Sequence, residues 1–547
     1  MIAHKYYLLV YQQHQSTISN SQNNIFYTDF RFCVDFYEWS DIMKPSRYIG
    51  GLSMKNLFTD EHLDNLPTIR LAKIALKNFK SVKNGEIVLN CGKKYIPYGT
   101  KPDILGLYGQ NGSGKTALIE AISILKHLLS GRSVPCEYAD CIDVESGFST
   151  LSFTFDFQYP EGNNYPTNND IRNVVYSFKI KRDVVSDDVA EDFAPMFVIE
   201  SDDEEFSYSA PKEQVIVYDE VLKVSGTMCG KKCTLKPFCD TSKPDIYIAP
   251  ATKAKHLLGD LDESKRIQLG IAKEKAKSKS KSFIFIRNTL DLFNQYSNYS
   301  IFYQILVELY MWAHFYLFVV DSKSTGLIRL NFMLPVFANG KMQVVPIGKR
   351  FPVRPEAFED MKKNFASISL VLTQIVPGLS IDVADYGTTM LKDGKTAQIV
   401  ELIAKRGNLT IPLRSESDGV RKIISTLNLL ILVYNQHSMT VAYDEFDAGI
   451  FEYLLGEILQ VIQNSGKGQF IFTSHNMRPL EVLNKEFIWF TTTDPHMRYT
   501  KLAGLGETNN LRRVYYREIA LHEHYDNLYS ETKRNQIISA MRKAGGE

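Results

Sequence analysis

The chain has 547 residues, more than one compact core accommodates, so roughly two or three packed units are expected. Hydrophobic residues at 44% and charged residues at 23% are the balance of an ordinary soluble globular chain. A formal net charge of +1 excludes a chain-wide polyanion-binding field, so any nucleic-acid surface must come from local clustering. Seven cysteines over this length exclude a disulfide framework and point to a reducing, cytoplasmic setting.

Residues 1–69 are rich in Asn, Gln and Tyr, show no sustained periodicity, and form an N-terminal extension without an assignable role. "MIAHKYYLLVYQQHQ" lacks the small-residue cleavage site of a signal peptide. From Ile74, "IALKNFKSVKNGEIVLN" alternates like a half-exposed hairpin, and "PDILGLYG" reads as a buried strand running into a glycine-rich bend. A helix is predicted from Thr116 to Ser130. "LSFTFDFQY", "NVVYSFKI" and "EQVIVYDEVLKV" are period-2 strands, predicting an antiparallel sheet beside the strand–bend–helix unit. These elements make up a first lobe, 70–250.

A helical insertion is predicted over 251–325. Within it, "SKRIQLGIAKEKAKSKSKS" heads a helical stretch reaching Phe318, and its low complexity and charge predict a mobile loop. "IFYQILVELYMWAHFYLFVV", Ile301 to Val320, is long enough to cross a bilayer. It carries Gln304, Glu308 and His314, however, and a mid-span charge costs about 3 kcal/mol. Gln304 and Glu308, four residues apart, share one side of a helix. The expectation is a buried helix running into a strand, with no membrane contact. A second lobe follows over 326–495, with strands at "GLIRLNFML" and "KMQVVPIG" and a helix at "PEAFEDMKKNFASISLVLTQIV". The last segment, 496–547, is predicted to be a polar helical tail.

Four motifs carry the chemistry. Gly109-Gln110-Asn111-Gly112-Ser113-Gly114-Lys115-Thr116 fits the phosphate-binding pattern G-x-x-x-x-G-K-[ST]. Glycines let successive N–H groups turn inward around a phosphate, Lys115 reaches the β- and γ-phosphates, and Thr116 ligates Mg²⁺. The apolar strand in "HSMTVAYDEFDAG" ends at Asp444-Glu445, an acidic pair that is costly at a buried strand end unless it meets a cation or donor. Asp444 suits the metal and Glu445 the deprotonation of an attacking water. In "FIFTSHN", His475 follows the next strand, 30 residues after Glu445, where an imidazole can bond a γ-phosphate. In "LRSESDGVRKIISTLNLLILV", Ser417-Asp418-Gly419 stands at a helix start; alone it reads equally well as an N-cap.

In chain order (phosphate loop, Ser417-Asp418-Gly419, Asp444-Glu445, His475) the four elements resemble the ABC-type ATPase heads of the RecF, SMC and OLD group, most strongly over 70–130 and 400–495. The resemblance implies an α/β phosphate-loop fold, a mixed sheet with helices on both faces, carrying an antiparallel β-subdomain. It implies ATP and Mg²⁺ as ligands, and two heads pairing head to tail. Ser417, Asp418 and Gly419 of one head would then close on the γ-phosphate held by the other. "IALKNFKSV" is similar to that group's opening hairpin, which places Lys80 with the nucleotide. "DEFDAGI" resembles the D-loop segment, with Asp447 its polar member, and Gln158 is the candidate for a metal-contacting Q-loop glutamine. The signature, Glu-Ser-Asp-Gly-Val, departs from that of transporter heads. Coiled-coil arms are missing, and the residues after His475 hold no Glu…Asp-x-Asp arrangement for metal-dependent cleavage.

This head-only plan resembles ATPases of bacterial anti-phage systems such as Septu PtuA, including retron-associated forms, and PARIS AriA. That implies a separate effector nuclease of HNH or Toprim type, and retron RNA or DNA, or phage DNA, as candidate partners. A RecF-like DNA-clamping repair ATPase is the alternative, and a nucleotide-cemented scaffold a third. Cys229, Cys233 and Cys239 have unusual spacing for zinc and read as reduced thiols. The lysines at 273, 275, 277, 279 and 281 form either a solvated run or a phosphate-binding surface.

Overall fold

The computed structural model describes residues 67–89, 102–159, 170–184, 213–228, 231–243, 248–298, 300–321, 333–338, 341–391, 394–502, 510–521, 528–529 and 533–545. The extension before residue 67, most of "GLIRLNFML" and Cys229 lie outside them. A hairpin of β1 (Thr68–Phe79) and β2 (Val82–Val88) leads to β3 (Asp103–Tyr108) and helix α1 (Lys115–Leu129). Four further strands follow: β4 (Phe148–Gln158), β5 (Asp170–Val184), β6 (Glu213–Met228) and β7 (Lys231–Asp240). They extend the hairpin into a six-stranded antiparallel sheet, ordered β2-β1-β4-β5-β6-β7. Alternating burial along β4 puts Leu151, Phe153, Phe155 and Phe157 into one core, the period-2 pattern of a strand with one covered face.

Helices α2 (Ala251–Leu258), α3 (Glu263–Ser278), α4 (Arg287–Tyr296) and α5 (Ile301–Phe315) follow, then β8 (Leu317–Val320). The lysine-rich segment expected to be a loop is α3. Asp262 caps it by accepting the Lys265 N–H at 2.8 Å. Leu269, Ala272 and Ala276, at helical spacing, are buried, and the Lys265 ammonium stands 4.1 Å from the centre of the Tyr296 ring. Alanines between the lysines supply both helix propensity and a thin apolar stripe, which charge density had obscured. Ile301–Val320 is a buried helix followed by a strand, as expected, and no helix among the described residues is long and apolar enough to cross a membrane.

The second half holds β9 (Met333–Ala338), β10 (Lys341–Pro346), β11 (Phe351–Val353) and α6 (Pro355–Ile375). Next come β12 (Leu379–Met390), β13 (Thr396–Arg406), β14 (Leu409–Pro412) and α7 (Asp418–Asn435). Then β15 (Thr440–Tyr443), α8 (Glu452–Ser465) and β16 (Gln469–Thr473) lead to the short α9 (Pro479–Val482). The chain finishes with β17 (Ile488–Thr491), β18 (Tyr499–Thr500), α10 (Leu511–Leu521) and α11 (Arg534–Ala544).

A central sheet ordered β18-β17-β3-β16-β15-β8 collects strands from across the chain, parallel except for the β17–β18 pair. Thus β8, inside the segment read as an insertion, and β18, inside the segment read as a tail, both belong to this sheet. Its two faces border different cores. Leu105, Leu107, Ala442 and Ile471 pack with α1 and the antiparallel sheet. Ile104, Tyr108, Val441, Tyr443, Phe470 and Phe472 pack with α6, α7 and α8. The α/β class, with helices on both sheet faces and an antiparallel subdomain, is therefore the one read from the sequence.

On α5, Glu308 accepts from Gln304 Nε2 at 3.0 Å and from Tyr159 OH at 3.0 Å, and burial pushes its carboxyl up to about 8. An acid whose native pKa is raised stabilises the fold fully below its unfolded value, and that contribution is lost as pH rises through the native one. Urea titrations from about pH 5 to about pH 9 are expected to show Glu308→Gln gaining stability over the wild type as pH increases. A constant difference would mean that Glu308 does not titrate in this window.

Candidate functional site

β3 delivers the chain to Gly109, whose φ of 152° takes the backbone out of the strand. A Cβ there would overlap Thr491 Oγ1, so only glycine fits between loop and sheet. Ser113 Oγ donates to the Gln110 carbonyl at 2.5 Å and bonds Thr491 Oγ1, which itself donates to Tyr108 O at 3.2 Å. Helix α1 starts at Lys115 behind a left-handed Gly114, with no side-chain cap bond and no acid in its first turn. Its leading N–H groups are thus left to the cleft, the arrangement that favours a phosphate.

The cleft has a volume of about 700 Å³. Lys80, Asn111, Gly112, Gly114, Lys115 and Thr116 line one side, and Asp444, Glu445, Asp447 and His475 the other. Lys115 is buried and donates to Gly109 O at 2.8 Å and Gln110 O at 3.0 Å. Burial lowers its pKa, against the pull of Asp444, Glu445 and Asp447. Thr116 Oγ1 lies 3.5 Å from Asp444 Oδ1, and Thr473 Oγ1 donates to that same oxygen at 2.6 Å. A buried carboxylate beside a hydroxyl suits a hard divalent cation, so Thr116 and Asp444 would hold Mg²⁺, whose charge neutralises phosphate oxygens when bound.

Glu445 is exposed and has φ 50°, a left-handed conformation that costs a non-glycine residue roughly 1–2 kcal/mol. Its N–H donates to Thr473 Oγ1 at 2.8 Å, and its carbonyl accepts Lys422 Nζ at 2.8 Å and Ala448 N at 3.1 Å. The Asp447 carboxylate accepts the His475 N–H at 3.2 Å and the Asn476 N–H at 2.9 Å, so it anchors the loop that presents His475. Lys80 reaches the cleft through a turn with φ 51°, yet its ammonium pairs with the buried Glu120 of α1.

Gln158 needs correction. It pairs with Thr68 at the far end of β1, whereas Lys77, near the cleft end, pairs with Thr150. At about 3.4 Å per residue it stands roughly 30 Å along β1 from the Lys77 level; it is not among the residues lining the cleft and bonds Asp156 instead. Ser417 caps α7, accepting the Val420 N–H at 3.4 Å, and together with Asp418 and Gly419 it stands outside this chain's own cleft. Among the described residues no group of three or more His, Cys, Asp and Glu could hold a metal, and Cys233 and Cys239 are free thiols.

Sequence reasoning missed Thr473, Thr491, Lys422, Arg498 and Tyr499. Tyr499 OH donates to Gly114 O at 2.9 Å, and Arg498 bonds the carbonyls of Thr492 and Ser81, buttressing the loop from β18. Thr473, directly before Ser-His-Asn, and Lys422, three residues after Gly419, stood inside motifs that were singled out; Thr491, Arg498 and Tyr499 did not.

Fold and cleft together define a phosphate-loop nucleotide-binding head. A family model described as an AAA domain matches residues 73–281. Solved structures similar to the chain include the SMC head domain from Thermotoga maritima, at 13% identity, covering 80% of this chain and 100% of that one, with TM-score 0.30. The Smc head domain with an extended coiled coil bound to the C-terminal domain of ScpA, from Pyrococcus furiosus, is 14% identical. It covers 79% and 96% of the two chains, with TM-score 0.34. The Smc head domain with a coiled coil and joint from Pyrococcus yayanosii gives 12%, 80%, 97% and 0.36. No curated protein matches.

Gly109→Ala tests the cradle. The methyl overlap is expected to lower affinity for a fluorescent ATP analogue at least tenfold and to destabilise the fold by roughly 2 kcal/mol. Unchanged affinity would show that the loop does not need its close approach to Thr491.

Proposed function

We propose that this chain is an ATP-hydrolysing switch that restrains or activates a separate effector nuclease in an anti-phage defence complex. The observation that carries the reading is the cleft, where Lys115 and Thr116 meet Asp444 and Glu445 from a segment more than 300 residues away. Lys115 and the leading N–H groups of α1 bind the triphosphate, while Thr116 and Asp444 hold the metal. Glu445, exposed on the cleft wall, takes the proton of the attacking water, and His475 bonds the γ-phosphate. Two copies pair head to tail, Ser417 and Gly419 of each completing the other's site. The exposed Ser417 and half-buried Gly419 at the start of α7, both outside their own cleft, support this role.

A second reading, a head that itself clamps DNA, draws support from the lysines carried by α3 and the residues after it. Salt-dependent DNA binding that ATP strengthens favours the clamp. ATPase activity indifferent to DNA, together with an ATP-sensitive complex with the protein encoded next to this one, favours the switch. Absence of any such complex, with or without ATP, removes the effector reading.

Two variants test the chemistry. Lys115→Ala is expected to abolish nucleotide binding in equilibrium titrations. Glu445→Gln is expected to bind ATP normally while kcat falls about 100-fold or more, because the amide cannot accept the proton. Wild-type turnover in that variant would falsify the assigned base.

A further inference from the structure

Lys422 lies one turn into α7, the helix that Ser417 caps, and is half-buried. Its ammonium donates to the Glu445 carbonyl at 2.8 Å and stands 5.4 Å from the centre of the Tyr443 ring. The same carbonyl accepts the Ala448 N–H, so both its lone pairs are engaged, and the N–H of Glu445 is held by Thr473. The N–H and carbonyl of the left-handed Glu445 and the N–H of Phe446 are therefore all tied down, and of these ties the one from Lys422 comes from α7.

A second contact joins the same two segments. Gly419 packs so closely on Gly449 that a Cβ on Gly419 would overlap the Gly449 carbonyl oxygen. The first turn of α7 is thus locked to the loop 445–449 at both ends, by backbone at Gly419 and by side chain at Lys422.

We infer that Lys422 is a positioning residue that holds Glu445 in its strained conformation from the signature helix, so that the helix start and the base move as one unit. The inference rests on the proposed ATPase reading and deepens it. Engagement of Ser417 with a neighbouring copy's nucleotide is then transmitted, within the same chain, to that chain's own base. Lys422 is not among the residues that line the cleft. Burial brings its pKa down to about 8 although Asp447, Glu445 and Asp444 all favour its charge, as befits an ammonium withdrawn from water beneath the loop.

The test is a kcat-against-KM comparison of the full chain with Lys422→Met and Lys422→Arg, with affinity for a fluorescent ATP analogue and thermal midpoints measured in parallel. Lys422→Met is expected to lose at least tenfold in kcat, with ATP affinity within about twofold of wild type. Lys422→Arg, which keeps the donor, is expected to recover most of the rate. Hydrogen exchange should rise at the amides of residues 445–450 in the Met variant and not in the Arg variant. Unchanged kcat in Lys422→Met, or a parallel loss of affinity and rate, would overturn the inference. If Lys422→Met is unstable, Lys422→Gln takes its place under the same criteria. A wild-type chain that turns over no ATP would instead overturn the ATPase reading itself, so the two failures are distinct.

Discussion

The hydroxyl of Thr473 does more than any other single group to build the site. It donates to Asp444 at 2.6 Å and accepts the Glu445 N–H at 2.8 Å. The adjoining Thr473 carbonyl takes the Phe446 N–H at 3.1 Å. One strand end thereby fixes three successive residues of its neighbour. Asp447 repays the contact in the opposite direction, its carboxylate accepting the N–H groups of His475 and Asn476. The loops after β15 and β16 are laced together, and the acids and the histidine inherit their separation from that lacing. A buried carboxylate such as Asp444 is stable there because its hydrogen bonds replace water.

The lacing would drift if the two large sheets were free to shift, and a buried polar joint prevents it. Gln469, fully buried at the start of β16, imitates a neighbouring strand: it donates to Leu71 O at 2.8 Å and accepts Leu71 N at 3.1 Å. It also donates to Asp103 at 2.7 Å, and Arg70, 1% exposed, lies 3.7 Å from that carboxylate while reaching the His437 carbonyl. The register of β1 shifts at this point, between Leu71 and Lys73. The hairpin that carries Lys80 to the cleft is therefore indexed to the strand that ends in Thr473. Sequence-distant halves of the chain share one frame of reference.

What could be read from the sequence was whatever has a short-range signature. Alternation revealed the antiparallel strands, and the glycine spacing revealed the phosphate loop. The buried run before Asp444-Glu445 revealed a strand end, because an acidic pair there is otherwise unfavourable. Lysine density hid α3, since a stripe of Leu269, Ala272 and Ala276 is too slight to stand out beside the eight charged residues of Ser264–Ser282. Gln158 was misplaced because antiparallel pairing sends it away from the turn that Lys80 occupies, and register is not visible in one strand alone. Lys422 and Tyr499 matter only through tertiary proximity, to Glu445 and Gly114 respectively, so nothing in their local sequence marks them.

The strain at Glu445 explains how two adjacent acids serve one cleft. In a regular strand consecutive side chains face opposite ways. Ala442 packs in the core on the α1 side of the central sheet and Tyr443 in the core on the α7 side. Continued alternation returns Asp444 to the α1 side, where Thr116 lies 3.5 Å away, but would send Glu445 under α7. The left-handed φ breaks the alternation at that residue, and both acids line the cleft. What turns toward α7 instead is the Glu445 carbonyl, which Lys422 receives. The conformation that brings Glu445 to the cleft is thus the same one that ties its backbone to α7.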